Sequence, residues 1–191
     1  MRGRLLLALL ALTVAAPAQQ PLIEGQAHST VRVIVYEDLQ CPDCADFRRM
    51  MDEKILPRYA DKAALIHRDF PLAKHAWARK AAIAARYFDE IKPELGLAYR
   101  RQTMATIRDT TPENFNEKLS AFAQKNGADG TAAIAALGDH RLAALVEKDF
   151  QDGVARGVSH TPTVFVNGKA FVEHFTLEEI SKAIDDALAS R

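Results

Sequence analysis

Cysteine is scarce in this sequence: 191 residues contain only two, Cys41 and Cys44. Two cysteines exclude a small scaffold held together by several disulfides. Basic charge shows no excess either, since 25 lysines and arginines balance 25 acidic residues, so the footprint of a nucleic-acid-binding protein is missing. The hydrophobic fraction of 48% excludes a disordered chain. One globular domain, with room for an insertion, fits this length.

Long hydrophobic runs are also missing, apart from one near the start. Arg2 and Arg4 precede a 12-residue apolar run, shorter than the roughly 18 to 20 residues that span a bilayer. Small residues at Ala16-Pro17-Ala18 complete the layout of a secretory signal peptide, predicted over residues 1–18; an uncleaved membrane anchor is the alternative. Cleavage leaves a net charge of −2 and predicts a soluble exported protein, in the periplasm or another oxidising compartment.

The first half of the remaining chain predicts a strand, a helix and a second strand. Residues 19–30 are polar and are interpreted as an arm. Residues 31–36 are rich in β-branched side chains and predict a buried strand. A helix is expected from Pro42 to Pro57, and residues 64–70 predict the second strand.

The second half predicts helices and a hairpin. Apolar residues at helical spacing indicate several helices over residues 74–138, and Asp139 can cap a longer one that follows. Asn167-Gly168 between two β-rich runs is typical of a hairpin turn. Thr176 to Glu179 has the pattern of a capping box that opens a final helix.

The cysteines form a Cys-x-x-Cys pair where the first strand meets its helix. At a helix start Cys41 faces unpaired N–H groups and the positive end of the helix dipole, which stabilise a thiolate. A lowered pKa makes the pair reactive at neutral pH, because the thiolate is the attacking species in disulfide exchange. Cys44, one turn later, is expected to be more buried and to resolve the mixed disulfide.

Two other uses of the pair are weaker. Zinc needs four protein ligands, or three and water, and the histidines show no ligand spacing; all except His160 are assigned to the surface. A purely structural disulfide closing so small a loop removes little entropy from the unfolded chain. Redox chemistry without metal or cofactor is favoured.

Two segments carry a resemblance to a known family. The runs Tyr36–Cys44 and Gly157–Gly168 resemble the DsbA-like thiol-disulfide oxidoreductases, exported bacterial proteins. The resemblance implies an α/β, thioredoxin-like fold with an inserted all-helical domain. It also implies a cis Thr161–Pro162 bond in a loop that lies beside the dithiol and binds substrate. The first part of the thioredoxin-like fold is then expected over residues 31–73, the helical insertion over residues 74–138, and the second thioredoxin-like part over residues 139–191.

Residues next to the dithiol are candidates for tuning it. The family's strongest oxidants carry Pro-His between the cysteines, whereas this chain has Pro42-Asp43. An aspartate should stabilise the thiolate less, so an oxidant of intermediate strength is expected. His160 stands where related chains have glycine; it can tune the dithiol or be an exposed loop residue.

Acidic residues near the cysteines offer a proton acceptor. Thioredoxin-fold enzymes often carry a buried acid six residues before the first cysteine, but that position is Val35. Glu37 and Asp38 lie closer and can assist proton transfer to Cys44. A solvated capping or loop role is favoured for each, because acids near a helix start need no further explanation.

The leading functional hypothesis is a monomeric disulfide donor for reduced or unfolded secreted proteins. The resemblance implies reoxidation by a membrane quinone-linked oxidase. A reductase or isomerase of the same fold is the first alternative, although residues 19–30 are too few for the dimerisation domain that isomerases usually need. A peptide-binding chaperone with a structural disulfide is the alternative from another class.

Overall fold

The computed structural model describes residues 21–190, so the predicted signal peptide lies outside the described residues. Its five strands are β1 (Ile23–Gly25), β2 (Arg32–Glu37), β3 (Ala64–Asp69), β4 (Thr163–Val166) and β5 (Lys169–Val172). They form one sheet in the order β1-β3-β2-β4-β5. Strands β2 and β3 are parallel, and the other neighbours are antiparallel.

Helices connect these strands and form a block between β3 and β4. They are α1 (Pro42–Met50), α2 (Leu56–Tyr59), α3 (Ala78–Ile91), α4 (Pro93–Ala105), α5 (Phe115–Lys125), α6 (Gly130–Ala135), α7 (His140–Ala155) and α8 (Leu177–Ala189). The predicted order of strand, helix, strand, helical block, longer helix, hairpin and final helix is confirmed. No helix in the described part of the chain is long and apolar enough to cross a membrane.

The helix after the dithiol runs past the predicted end at Pro57. Helix α1 passes into a π-helical turn, Met51–Ile55, and then into α2. Pro57 occupies the first turn of α2, where the missing N–H of proline breaks no helical bond. The π turn resets the hydrogen-bond pattern just before the proline, which is why the helix continues.

The predicted arm contains a strand. Ile23 pairs with Ile66 and Gly25 with Ala64 at the edge of the sheet. The His67 N–H also donates to the carbonyl oxygen of Leu22 at 3.0 Å. Three residues are too few for a visible period-two pattern, so the sequence did not reveal this strand.

The predicted hairpin turn and the two predicted helix caps are confirmed. Asn167 and Gly168 have φ values of 44° and 92°, as a two-residue hairpin turn requires. The Thr176–Glu179 capping box is present, and Asp139 accepts the first free N–H groups of α7.

Helices cover both faces of the sheet. On one face α1 and α8 pack over β2 and β4, and a buried core joins Val33, Phe47, Val164 and Ile180. On the other face α7 approaches closely at Gly153, where an added Cβ would lie 2.7 Å from the Phe70 ring. A third core packs Leu39 and both cysteines against Trp77 and the helical block. The dithiol therefore sits where the sheet meets the helical block.

Candidate active site

The two cysteines lie at the start of α1, as predicted. Cys41 is the residue that precedes the helix, with φ −84° and ψ 123°, and Pro42 takes the first helical position. The Cys41 N–H donates to the Asp38 carbonyl oxygen at 3.0 Å. Cys41 is 5% exposed and Cys44 only 2%, and both are free thiols.

The loop before β4 lies against the first thiol. The Cys41 thiol donates to the carbonyl oxygen of Thr161 across 3.3 Å, although 120 residues separate them in sequence. The Thr161–Pro162 peptide bond is cis. Because β4 pairs with β2, the loop that leads into β4 is held beside the turn that leads out of β2.

Cys41 has the electrostatics of a reactive thiol. A hydrogen bond from the Cys44 side chain lowers its pKa most, and burial acts in the opposite direction. The nearby Thr161 side chain lowers it further, as do the Cys44 and Asp43 backbone N–H groups. Together they lower the Cys41 pKa from 9.0 to about 6, so it is largely a thiolate at neutral pH.

Cys44 has the opposite character. Burial raises its pKa well above 9.0, and the neighbouring Cys41 adds to the rise. The Asp38 N–H, 3.4 Å from the Cys44 sulfur, partly offsets this. One thiol with a lowered pKa beside a second whose pKa burial raises suits a pair in which the first sulfur attacks and the second resolves.

Asp38 is buried, so the prediction of a solvated residue is wrong. It is 1% exposed, and its carboxylate accepts from the backbone N–H groups of Gln40 and Leu72 and from His75 Nδ1, each at 2.7 Å. The carboxylate is buried because the loop between β3 and α3, which supplies the Leu72 and His75 donors, packs against the turn that contains Asp38. Its carboxylate makes no hydrogen bond to Cys44 in the described structure.

Glu37 is also buried, at 3% exposure, which corrects the same prediction. Its carboxylate lies 3.0 Å from His67 Nδ1 and 3.3 Å from Arg100 Nη1. Burial alone would raise the Glu37 pKa, but His67 and Arg100 outweigh it and hold the pKa below its ordinary value. Glu37 is therefore committed to ion pairs and not to Cys44.

Glu37 belongs to a larger set of buried charged residues, here named the buried charge cluster. It joins β1, β2 and β3 to α1, the helical block and α7, and each member is at most 7% exposed. Its members are Glu24, Glu37, Arg48, His67, Asp69, Arg86, Arg100 and Asp149.

Two histidines assigned to the surface are not there. His67 lies in the cluster, with Nε2 2.9 Å from Glu24 and Nδ1 facing Glu37. Burial would lower the His67 pKa, but the two carboxylates raise it above its ordinary value. His75 is 16% exposed and bound to Asp38. His28, His140 and His174 are exposed, as expected.

The remaining predicted residues are at the surface. Pro42 and Asp43 are exposed next to Cys41. His160 is exposed too, and its Nδ1 lies 2.8 Å from Ser159 Oγ. Among residues 21–190, no three acidic, histidine or cysteine side chains are grouped to hold a metal ion.

Grooves run along both sides of α1. One, of 490 Å³, lies between α1 and the segment before α8, and its lining includes Asp43, Phe47, Arg49, His174 and Phe175. The other, of 790 Å³, lies between α1 and the end of α4 and begins at Pro42. Their linings mix charged and apolar side chains, which suits extended polypeptide better than a small apolar ligand.

The buried charge cluster escaped sequence reasoning, although a signal was present. Alternate residues of a strand share a face, so Val33, Val35 and Glu37 point to the same side of β2. That side is the core, which makes Glu37 a buried acid. In the neighbouring parallel strand β3, His67 pairs with Val35 and Asp69 pairs with Glu37, so both lie on the same face of the sheet.

The comparisons with known proteins agree with this geometry. A family model described as thioredoxin matches residues 18–186. The chain is a member of the thioredoxin family. Its structure is similar to BdbD from Bacillus subtilis (TM-score 0.80, 21% identity, covering 88% of this chain and 93% of that one). It is also similar to Chlamydia trachomatis DsbA (TM-score 0.78, 18% identity, covering 92% of this chain and 95% of that one). A third similar structure is Wolbachia pipientis α-DsbA1 (TM-score 0.75, 22% identity, covering 91% of this chain and 94% of that one). The predicted DsbA-like fold is confirmed.

Curated relatives of this thioredoxin-family chain are larger proteins. It is 28% identical over 169 residues to a Na⁺/H⁺ antiporter NhaA of Salinispora tropica, covering 88% of this chain and 25% of that protein. The chain is also 27% identical over 148 residues to a Na⁺/H⁺ antiporter NhaA of Herminiimonas arsenicoxydans, covering 77% of this chain and 22% of that protein. The chain spans about a quarter of the length of the curated relatives it matches.

Proposed function

We propose that this chain is an exported thiol-disulfide oxidoreductase that donates the Cys41–Cys44 disulfide to reduced proteins. The observation that carries the proposal is the contrast between the cysteines: the Cys41 pKa is lowered to about 6, and burial raises that of Cys44. A stable Cys41 thiolate favours the reduced form of the pair, and that preference makes the disulfide an oxidant.

The reaction has two exchanges. A client thiolate attacks the Cys41 sulfur of the disulfide, a client–Cys41 bond forms, and Cys44 leaves as a thiolate that takes up a proton. A second client thiolate then attacks the client sulfur of the mixed disulfide and releases Cys41 as a thiolate. The client loses two electrons and the enzyme gains them.

The structure supports a place for the client. The Thr161 carbonyl oxygen already accepts from the Cys41 thiol, and Thr161-Pro162 stand directly before β4, so this loop can bind extended client backbone beside the reacting sulfur. The grooves along α1 offer charged contacts on either side.

Export and the redox partner complete the proposal. The basic, apolar and small-residue layout of residues 1–18 supports secretion, and the DsbA-like resemblance supports reoxidation by a membrane quinone-linked oxidase. In this proposal residues 31–73 and 139–191, together with β1 from the predicted arm, form the thioredoxin-like part, and residues 74–138 form the helical insertion. The protein acts as a monomer without cofactor.

The test is oxidative refolding of a reduced, disulfide-containing client by the oxidised protein. Replacing the attacked sulfur in Cys41→Ser should reduce disulfide formation to the uncatalysed rate. The matched variant Cys44→Ser is first converted to the Cys41–glutathione mixed disulfide with oxidised glutathione. A client thiolate should then displace glutathione and leave a client–Cys41 mixed disulfide that Cys44 is not there to resolve. Non-reducing gels and mass spectrometry measure both results.

Other outcomes would identify the alternatives. Fast reduction of insulin disulfides with negligible client oxidation would identify a reductase, and rescue of a wrongly paired client an isomerase. If Cys41→Ser keeps full activity in preventing client aggregation and wild type forms no client disulfides, the protein is a peptide-binding chaperone.

A further inference from the structure

We propose that Asp38 is a positioning residue for Cys44: its buried carboxylate fixes the turn that aims its own N–H at the Cys44 sulfur. The inference rests on the proposed function and adds a residue that acts on the second sulfur of the pair. It concerns the moment in exchange when Cys44 carries a negative charge. In the described structure neither the Glu37 nor the Asp38 carboxylate makes a hydrogen bond to Cys44.

The Asp38 carboxylate is held from two sides. Oδ1 accepts from the Gln40 N–H, within the same turn. Oδ2 accepts from the Leu72 N–H and from His75 Nδ1, both in the loop after β3. All three distances are 2.7 Å, and Asp38 itself is 1% exposed, so the carboxylate is bound by protein donors instead of bulk water.

A second link strengthens the connection. Gln40 Oε1 accepts from the Trp77 N–H at 2.7 Å, and Trp77 is buried in the same core as both cysteines. Asp38 and Gln40 thus tie the turn before α1 to the loop before α3. The turn cannot shift without breaking these hydrogen bonds.

The N–H of the fixed residue points at the second sulfur. Asp38 N lies 3.4 Å from Cys44 Sγ, a hydrogen-bond distance for sulfur. The Cys41 thiol, the Thr161 side chain and this N–H are the groups that act on Cys44, and the last two favour its thiolate. The backbone donor therefore matters most when Cys44 becomes negative.

Cys44 becomes negative in both directions of exchange. When a client thiolate attacks Cys41, the Cys41–Cys44 bond breaks and the electron pair leaves on Cys44. In the reverse direction the Cys44 thiolate attacks Cys41 and expels the client thiolate. Hydrogen bonds to charged groups are stronger than those between neutral groups, so a misplaced donor slows both steps.

The chromogenic disulfide dithiobis(nitrobenzoate) separates the two sulfurs. In reduced protein the Cys41 thiolate attacks the probe and releases one thionitrobenzoate; Cys44 then attacks Cys41 and releases a second, as its proton passes to solvent. In Asp38→Asn the second phase should be about tenfold slower and its pH profile should move to higher pH. The first phase should stay within about twofold, because the Cys41 contacts remain.

Two further variants keep the test decisive. His75→Ala removes one donor to the carboxylate and should slow the second phase about threefold, since it leaves the other two bonds in place. The matched control is Asp139→Asn, which alters a carboxylate that caps α7 and is not among the groups that act on either cysteine; it should change neither phase.

Equal slowing of both phases in Asp38→Asn and His75→Ala, or no change in the second phase of either, would overturn the inference. The probe contains no client. If the variants behave as expected but wild type oxidises no protein, the proposed function fails and the role of Asp38 stands.

Discussion

The dithiol and the buried charge cluster both place polar groups in the interior, but they differ in how fully those groups are paired. Each cluster carboxylate has a cation within ion-pair distance; Asp69, for example, contacts Arg86 and Arg100. Among residues 21–190, no cation is one of the groups that act on Cys44, and the groups that favour its thiolate are the Asp38 N–H and the Thr161 side chain. The cluster carboxylates are therefore each paired with a cation, whereas the dithiol can change its charge during exchange.

The cluster serves the architecture that holds the dithiol. Arg86 of α3 and Arg100 of α4 bind the Asp69 carboxylate at the end of β3, which fastens the helical block to the sheet. Burial would lower the pKa of Arg100, but Asp69, Asp89 and Glu37 raise it. Burying charges costs energy, so the cluster need not add net stability, but removing one partner is expensive.

The largest expected effect comes from breaking the cluster. Arg100→Met removes one of the two buried arginines that contact Asp69 and leaves Glu37 with His67 alone. It should lower the free energy of unfolding by about 3–5 kcal/mol. The Cys41 pKa, read from thiolate absorbance, should remain near 6, since Arg100 does not contact the dithiol. Chemical denaturation measures the first quantity.

The matched control for this variant is Arg58→Met. Arg58 pairs with Asp185 at 2.6 Å, but both side chains are about half exposed, so the loss should be within about 1 kcal/mol. Equal destabilisation by the two variants would show that the cluster is no different from a surface pair. A large change in the Cys41 pKa of Arg100→Met would show that the two regions are not separate.

A smaller effect is the pH dependence that the dithiol gives to the stability of the reduced protein. Between about pH 6 and the ordinary thiol pKa of 9.0, unfolded reduced protein holds the Cys41 proton and native protein does not. The unfolded state thus binds more protons, and the stability of reduced protein rises with pH. The oxidised protein lacks this titration, whereas His67 and the carboxylates titrate in both forms and cancel in the difference.

The free energy of unfolding of reduced minus oxidised protein should therefore rise by about 1.4 kcal/mol per pH unit over this range. Denaturation of both forms at a series of pH values measures it. Above pH 9 the raised Cys44 pKa reverses the trend, because the unfolded chain then loses that proton first. A flat difference between pH 6 and 9 would contradict a native Cys41 thiolate.

Sequence alone predicted most of the architecture, because its signals are local. Asn167-Gly168, the Thr176 capping box and Asp139 each act within a few residues, and the structure has all three. The positions of Cys41 and Cys44 at a helix start followed from the strand-to-helix junction. The link from Cys41 to Thr161 came from family resemblance, since no local pattern connects residues 120 apart.

Burial of the charged residues was the main failure. Glu37, Asp38 and His67 are polar in sequence and were taken as solvated, but each is satisfied by partners from distant segments: Arg100, Leu72 and Glu24. Whether a charge is buried depends on whether tertiary contacts supply its counter-charge. That information is absent from a local window.

The reduction potential of the Cys41–Cys44 pair, measured against glutathione, tests the central claim most directly. A disulfide donor with a first-cysteine pKa of about 6 should lie between about −180 mV, typical of protein disulfide isomerase, and about −120 mV, typical of the strongest oxidants. A value near about −270 mV, that of cytosolic thioredoxin, would contradict the account.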